Sequence, residues 1–174
     1  MNNRDKTRRL AVCAMLSALG VVLLYFGALI ELVDISMAVI ASLLCVFAVI
    51  EYSGGYPWMI YAATGILSIL LLPNKTPAAM YIAFFGFYPM LKEKLERRPR
   101  VICWVLKEII FNISLAVMIV LVAFVFTVGE LAISPLYIAA FVLLCEVAFV
   151  LYDIALTRLI SFYVFRLRSR FRFK

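Results

Sequence analysis

The side chains able to do chemistry in this chain fall into three groups. The first sits at the breaks between apolar runs: Glu31, Asp34, Asn74, Lys75 and Glu130, with Tyr25 and Tyr81 near the adjoining helix ends. Charged and amide groups over aromatic walls can roof a ligand pocket. They are equally what interfacial loops with a tyrosine belt contain. The second group is ionisable and lies inside apolar runs: Glu108, Glu146, Asp153 and Arg158. A charge in lipid is expensive, so such residues face a cavity or a partner. If the last two helices are antiparallel, Glu108 reaches the depth of Arg158, and Lys107 that of Asp153. Glu146 lies nearer the midplane without a basic residue at its depth. Protonation, or a hydrogen bond to Asn112, would relieve its cost, and it is the candidate cavity residue. The third group is small. Ala11, Ala14 and Ala18 share one helical face, with Ser17 beside them. Such a face lets helix backbones approach closely in lipid, either within one bundle or against another membrane protein.

Other chemistries are excluded. The chain has no histidine, which removes the commonest general base. Its four cysteines, Cys13, Cys45, Cys103 and Cys145, each lie in or beside an apolar run, and none forms a CxxC pair. A zinc site is therefore not expected. Neither a phosphate-binding loop, a nucleophile elbow nor an HExxH sequence is present. No catalytic or metal-ligating residue is assigned, no cofactor is expected, and the chain is read as a non-enzyme. A lipid enzyme or flippase centred on Glu146 is a weaker third reading.

The elements that must position these residues are membrane spans. Of 174 residues, 67% are hydrophobic, and the mean hydropathy is +1.09. Soluble domains hold roughly 45–50% apolar residues, so the excess requires lipid as a solvent. Punctuation by Gly, Pro and charge divides the chain into six helices, at 10–29, 35–50, 58–72, 78–91, 101–128 and 136–165. The expected fold is an all-α integral membrane protein, a six-transmembrane-helix bundle forming a single membrane domain over 1–174. The first apolar stretch is too long for a signal-peptide core of roughly 7–15 residues.

Charge sets the orientation. The net charge is +7. In six spans with the N-terminus inside, Arg4 to Arg9, Lys92 to Arg100 and the tail from Arg166 to Lys174 all face the cytoplasm, and only Lys75 faces out. This is the positive-inside pattern, with both termini cytoplasmic in a multi-pass cell-membrane protein. Helices three and four are shorter than the roughly 17–25 residues of a span. Two full spans and a re-entrant pair both fit the charges. Arg alternating with Phe in the tail suits anionic lipids. No nucleic-acid partner is expected, because the basic residues sit beside apolar segments.

One resemblance narrows the function. Thr7-Arg8-Arg9-Leu10 followed by Ala14-Met15-Leu16-Ser17-Ala18-Leu19 resembles the opening of the substrate-binding S components of energy-coupling factor (ECF) transporters. There, a basic N-terminus precedes an A-x-x-x-A helix, matched here by Ala14 and Ala18. The resemblance implies that this face docks on a transmembrane coupling subunit driven by two cytoplasmic ATPases. It also implies six helices, and a vitamin or similar micronutrient as small-molecule ligand, taken up from the outer side. On that reading Glu31, Asp34, Asn74, Lys75, Tyr81, Glu130 and Glu146 are the substrate-binding candidates. The substrate signatures of the riboflavin, thiamine, biotin and folate branches are not matched, so the resemblance is to a divergent or orphan S component. The alternative is a non-transport scaffold or regulatory protein that docks partners through its basic cytoplasmic face.

Overall fold

The computed structural model describes residues 3–52, 54–126 and 135–167. Among the described residues every regular element is helical. The helices are α1 (Asn3–Leu29), α2 (Asp34–Glu51), α3 (Tyr56–Leu71), α4 (Thr76–Met80), α5 (Tyr88–Leu95), α6 (Arg100–Phe126) and α7 (Pro135–Phe162). A 3₁₀ turn, Glu31–Val33, joins α1 to α2. A π-helical turn, Tyr81–Phe85, follows α4, and a second, Tyr163–Leu167, extends α7. Among the described residues, four helical stretches are long and apolar enough to cross a membrane: Asn3–Leu29, Asp34–Glu51, Arg100–Val120 and Ala139–Phe165. The helix Tyr56–Leu71 is apolar but shorter.

The chain forms two compact units, Met1–Val122 and Ala123–Lys174. In the first, α1 packs on α2 and α3, and the irregular α4–α5 segment packs on α2. Small side chains are frequent where the helices meet, with a few large ones between them. Leu24, Ala38, Ala41, Cys45, Ala48, Ile60, Ala78 and Tyr81 are almost completely buried, whereas Met15, Phe26, Ile66, Leu70 and Leu71 are exposed. Large apolar groups outside and small ones inside are what lipid solvation favours, because helices then associate by close packing and not by expelling water. Gly20 illustrates the fit: a Cβ there would lie 3.0 Å from Thr64 Cγ2 on α3.

Several hydroxyls inside apolar helices bond to their own backbone. Ser17 Oγ donates to Cys13 O at 2.9 Å and Ser42 Oγ to Val39 O at 2.6 Å. In the second unit, Thr157 and Ser161 donate to the carbonyls four residues before them, at 2.9 and 2.8 Å. These bonds satisfy the hydroxyls within their own helices.

Two helices differ from the sequence expectation for identifiable reasons. The first begins at Asn3 and not at residue 10. Hydropathy ends where Arg8 and Arg9 begin, but no Pro or Gly stops the helix, and Asp5 lies in the first turn, where the helix dipole favours an acid. The expected continuous helix over 78–91 is instead interrupted. Pro89 lacks an N–H, and its ring excludes the carbonyl four residues earlier from helical bonding. The chain absorbs this upstream by widening: Gly86 N donates to Tyr81 O at 2.7 Å. Each of α3, α4 and α5 opens with a proline in its first turn, Pro57, Pro77 and Pro89, where the missing donor costs nothing.

Gly86 sits where the widened turn meets α3. A Cβ at this position would lie 2.5 Å from Tyr61 Cδ2 and 2.9 Å from Tyr81 Cε1. Gly86→Ala is expected to destabilise by about 1–3 kcal/mol, read as a lowered thermal-unfolding midpoint in detergent. Ala62→Leu, on the exposed side of α3, should leave the midpoint unchanged.

Candidate functional site

The up-and-down course of the first unit separates its charges. Arg9 lies over the rings of Tyr52 and Tyr56, at 5.8 and 5.9 Å, and Lys94 over Trp58 at 5.9 Å. The start of α1, the α2–α3 turn and the end of α5 therefore share one end. Lys107 Nζ reaches Glu96 Oε1 at 3.4 Å, which brings the start of α6 there too. The Glu31–Asp34 turn and the Asn74–Thr76 turn lie at the opposite end, where Lys75 is the one basic residue among those described in this unit.

At that opposite end, the expected binding residues have distinct surroundings. Asp34 is buried at the first turn of α2, where the helix dipole favours its carboxylate. Glu31 opens the 3₁₀ turn. Asn74 Oδ1 accepts from Thr76 N at 3.0 Å and from Thr76 Oγ1 at 2.8 Å, an Asx turn that initiates α4. Lys75 Nζ donates to the carbonyls of Ile69 and Leu72, completing the C-terminal turn of α3. Asn74 and Lys75 thus already serve helix ends. Tyr25 is exposed. Glu146 belongs to the second unit and is half-buried. Glu130 lies outside the described residues.

Tyr81, which ends α4 and opens the π turn, lies in the core. Its hydroxyl and Cys45 Sγ are hydrogen-bonded at 3.1 Å. Tyr61, 6.0 Å away between ring centroids, donates to Ile82 O at 2.9 Å. Thr64 Oγ1 lies 3.5 Å from Ser17 O. Ser68, one turn further along α3, is fully buried, and its Oγ has no hydrogen-bond partner among the described residues. These residues line up as an interior polar column of Cys45, Tyr61, Thr64, Ser68 and Tyr81. The sequence reading missed all but Tyr81. The available signal was Thr64 and Ser68 at i and i+4, a spacing that places two hydroxyls on one helical face.

The basic end holds an open groove of about 540 Å³. Val49, Pro57, Trp58 and Met90 give it an apolar floor, and Glu93, Lys94, Arg97 and Arg98 form its polar side. Arg97 is paired with Glu93 at 2.8 Å. Beside the groove, Lys92, almost wholly buried, meets Glu96 Oε1 at 2.9 Å, and Lys107 approaches the same oxygen. One carboxylate thus clamps α5 to α6.

The docking candidates on α1 are exposed. Its buried side consists of Cys13, Ser17, Gly20, Val21, Leu24, Gly27 and Ala28. Ala11, Ala14 and Ala18 lie on the uncovered side, flanked by exposed Met15 and Leu19. Among the described residues, no group of three or more His, Cys, Asp or Glu residues is arranged to hold a metal ion. No family model, no curated protein and no solved structure matches this chain.

The role of Asn74 as a helix initiator has a measurable consequence. Asn74→Ala removes the acceptor shared by Thr76 N and Thr76 Oγ1 and should lower stability by about 0.5–1.5 kcal/mol, the usual net worth of such a hydrogen bond. Asn74→Asp, which keeps the acceptor oxygen, should restore the wild-type unfolding midpoint.

Proposed function

We propose that this chain is the substrate-binding membrane subunit of an ECF-type importer, taking a vitamin or similar micronutrient. It would dock on a transmembrane coupling subunit powered by two cytoplasmic ATPases. The observation that carries the reading is the division of α1. Ser17, Gly20 and Gly27 pack it into its own unit, while Ala14 and Ala18 remain uncovered on the other side. A small-residue ridge is costly to leave against lipid chains that fill it poorly, and a second helix fills it well. On this reading the ligand enters beside Glu31 and Asp34. It would meet the buried Ser68 hydroxyl and the Tyr81–Cys45 pair beneath them. Asn74 and Lys75 would then shape the rim by holding the ends of α3 and α4.

The same reading takes the chain as six spans in the cell membrane, with both termini cytoplasmic. The clustering of basic side chains at one end of the first unit supports this orientation. In it, the segment Thr76–Leu95 crosses as one irregular helix, its widened turn covered by protein.

Two experiments test the proposal. Ala14→Trp with Ala18→Trp should abolish co-purification of the coupling subunit while leaving helix content and monodispersity unchanged. Survival of the complex would remove this docking face. For the orientation, exposed Pro73 and Gly55 are replaced singly by cysteine and treated with a membrane-impermeant maleimide. Pro73→Cys should label in intact cells, and Gly55→Cys only after lysis. Protection of both in intact cells would instead support a re-entrant α3–α4 pair.

A second reading is favoured by the basic end: a scaffold or regulatory protein that docks partners through its cytoplasmic face. The two readings separate on which substitution releases the partner. Loss on changing α1 supports the importer, and loss on neutralising Lys94, Arg97 and Arg98 with α1 intact supports the scaffold.

A further inference from the structure

We infer that the groove between the α2–α3 turn and α5 is a binding site for the phosphate-bearing headgroup of an anionic membrane lipid. The inference rests on the orientation proposed above and is independent of the importer reading.

Three features of the groove point to this ligand. The first is charge. Lys94, Arg97 and Arg98 against Glu93 leave the groove net positive, and Arg9 stands nearby over Tyr52 and Tyr56. Glu93 neutralises Arg97 only in part, since their side chains are 47% and 76% exposed. Arg97 therefore retains donors for a phosphate oxygen. The second is the start of α3. Its N-cap is Gly55, which has no side chain to bond the first-turn amides, and with Pro57 lacking an N–H those amides are the ones of Tyr56 and Trp58. Those amides and the positive end of the helix dipole face the turn that borders the groove, and both favour an anion.

The third feature separates a lipid from a soluble phosphate. The floor of Val49, Pro57, Trp58 and Met90 runs into the exposed apolar surface of Trp58 and Met59, 40% and 51% accessible. A soluble anion has no use for such a floor. A lipid would set its glycerol and first methylenes there with its phosphate among the basic side chains. Trp58 beneath Lys94 is the aromatic–cationic pairing found at headgroup depth. Basic groups close to the anionic cytoplasmic leaflet gain from such contacts.

Trp58 also supplies the readout. The chain has two tryptophans, so in a Trp104→Phe background its fluorescence reports the groove alone. The purified full chain in neutral detergent is titrated with brominated-chain phosphatidylglycerol or brominated-chain phosphatidylcholine. The anionic lipid should quench Trp58 at a several-fold lower mole fraction. Removing basic side chains should weaken that preference by about fivefold for each one lost, so Lys94→Gln, Arg97→Gln and Arg98→Gln together should erase it. Glu93→Gln, which releases Arg97, should strengthen it. Equal quenching of the wild type by both lipids overturns the proposal. So does complete displacement of the preference by excess inorganic phosphate, which would make the ligand a soluble anion. If the triple variant fails to fold by circular dichroism, the Glu93→Gln arm decides, and no gain there overturns the site. Because no partner subunit is present, the outcome does not depend on whether α1 docks one.

Discussion

The close approach of α1 to α3, at Gly20 against Thr64 and at Ser17 O against the Thr64 hydroxyl, is the contact on which the first unit depends. In lipid, helices gain little by hiding apolar surface from one another, because the solvent is itself apolar. What holds them is contact at short range, and short range requires that side chains be absent or very small along the seam. Once α1 lies in that seam, its start is placed beside the α2–α3 turn and its end beside the start of α2. The seam also divides α1 lengthwise into a covered and an uncovered side. The exposed alanines follow from this placement, as does the position of Arg9 over Tyr52 and Tyr56 at the basic end.

Much of the architecture was legible because its causes are local. A run of apolar residues long enough for the bilayer forms a helix since no water remains to bond its backbone. Gly, Pro and charge then mark the ends, which is why 35–50 and 58–72 lie within a residue or two of the observed α2 and α3. The expectation for α1 started late because hydropathy measures solvent preference and not helicity, and Arg8 and Arg9 are as helical as the leucines after them. The widened turn before Pro89 was not legible. A proline announces that a helix must change, but not whether it bends, breaks or takes in an extra residue. The choice is made by neighbours such as Tyr61, which the chain brings in from twenty-five positions away.

The candidate sites were legible in type more than in role. Asn74 and Lys75 stood out as polar residues between two prolines. What composition does not reveal is that the ends of α3 and α4 already occupy their bonding groups. The interior column escaped notice for the opposite reason. Cys45, Thr64 and Ser68 are weakly polar, scatter among apolar neighbours, and gain meaning only when α2 and α3 bring them beside Tyr81. The basic end was read as an orientation signal, which needs only charge. Its groove needs Trp58 on α3 and Lys94 on α5 to meet, a coincidence of tertiary structure.

The widened turn at Tyr81–Phe85 also carries a consequence for how the chain tolerates change. A π turn holds one residue more than an α turn, and each residue rotates a helix by roughly 100°. The helix α5 that follows is therefore aimed by that surplus residue. Deleting a single position between Met80 and Phe87 would leave a smoother helix of the same composition and hydropathy, yet would swing Lys94 and Arg97 away from Trp58. Length in this segment is thus under a tighter constraint than residue identity. Substitutions here alter one contact, whereas a one-residue insertion or deletion turns the whole of α5.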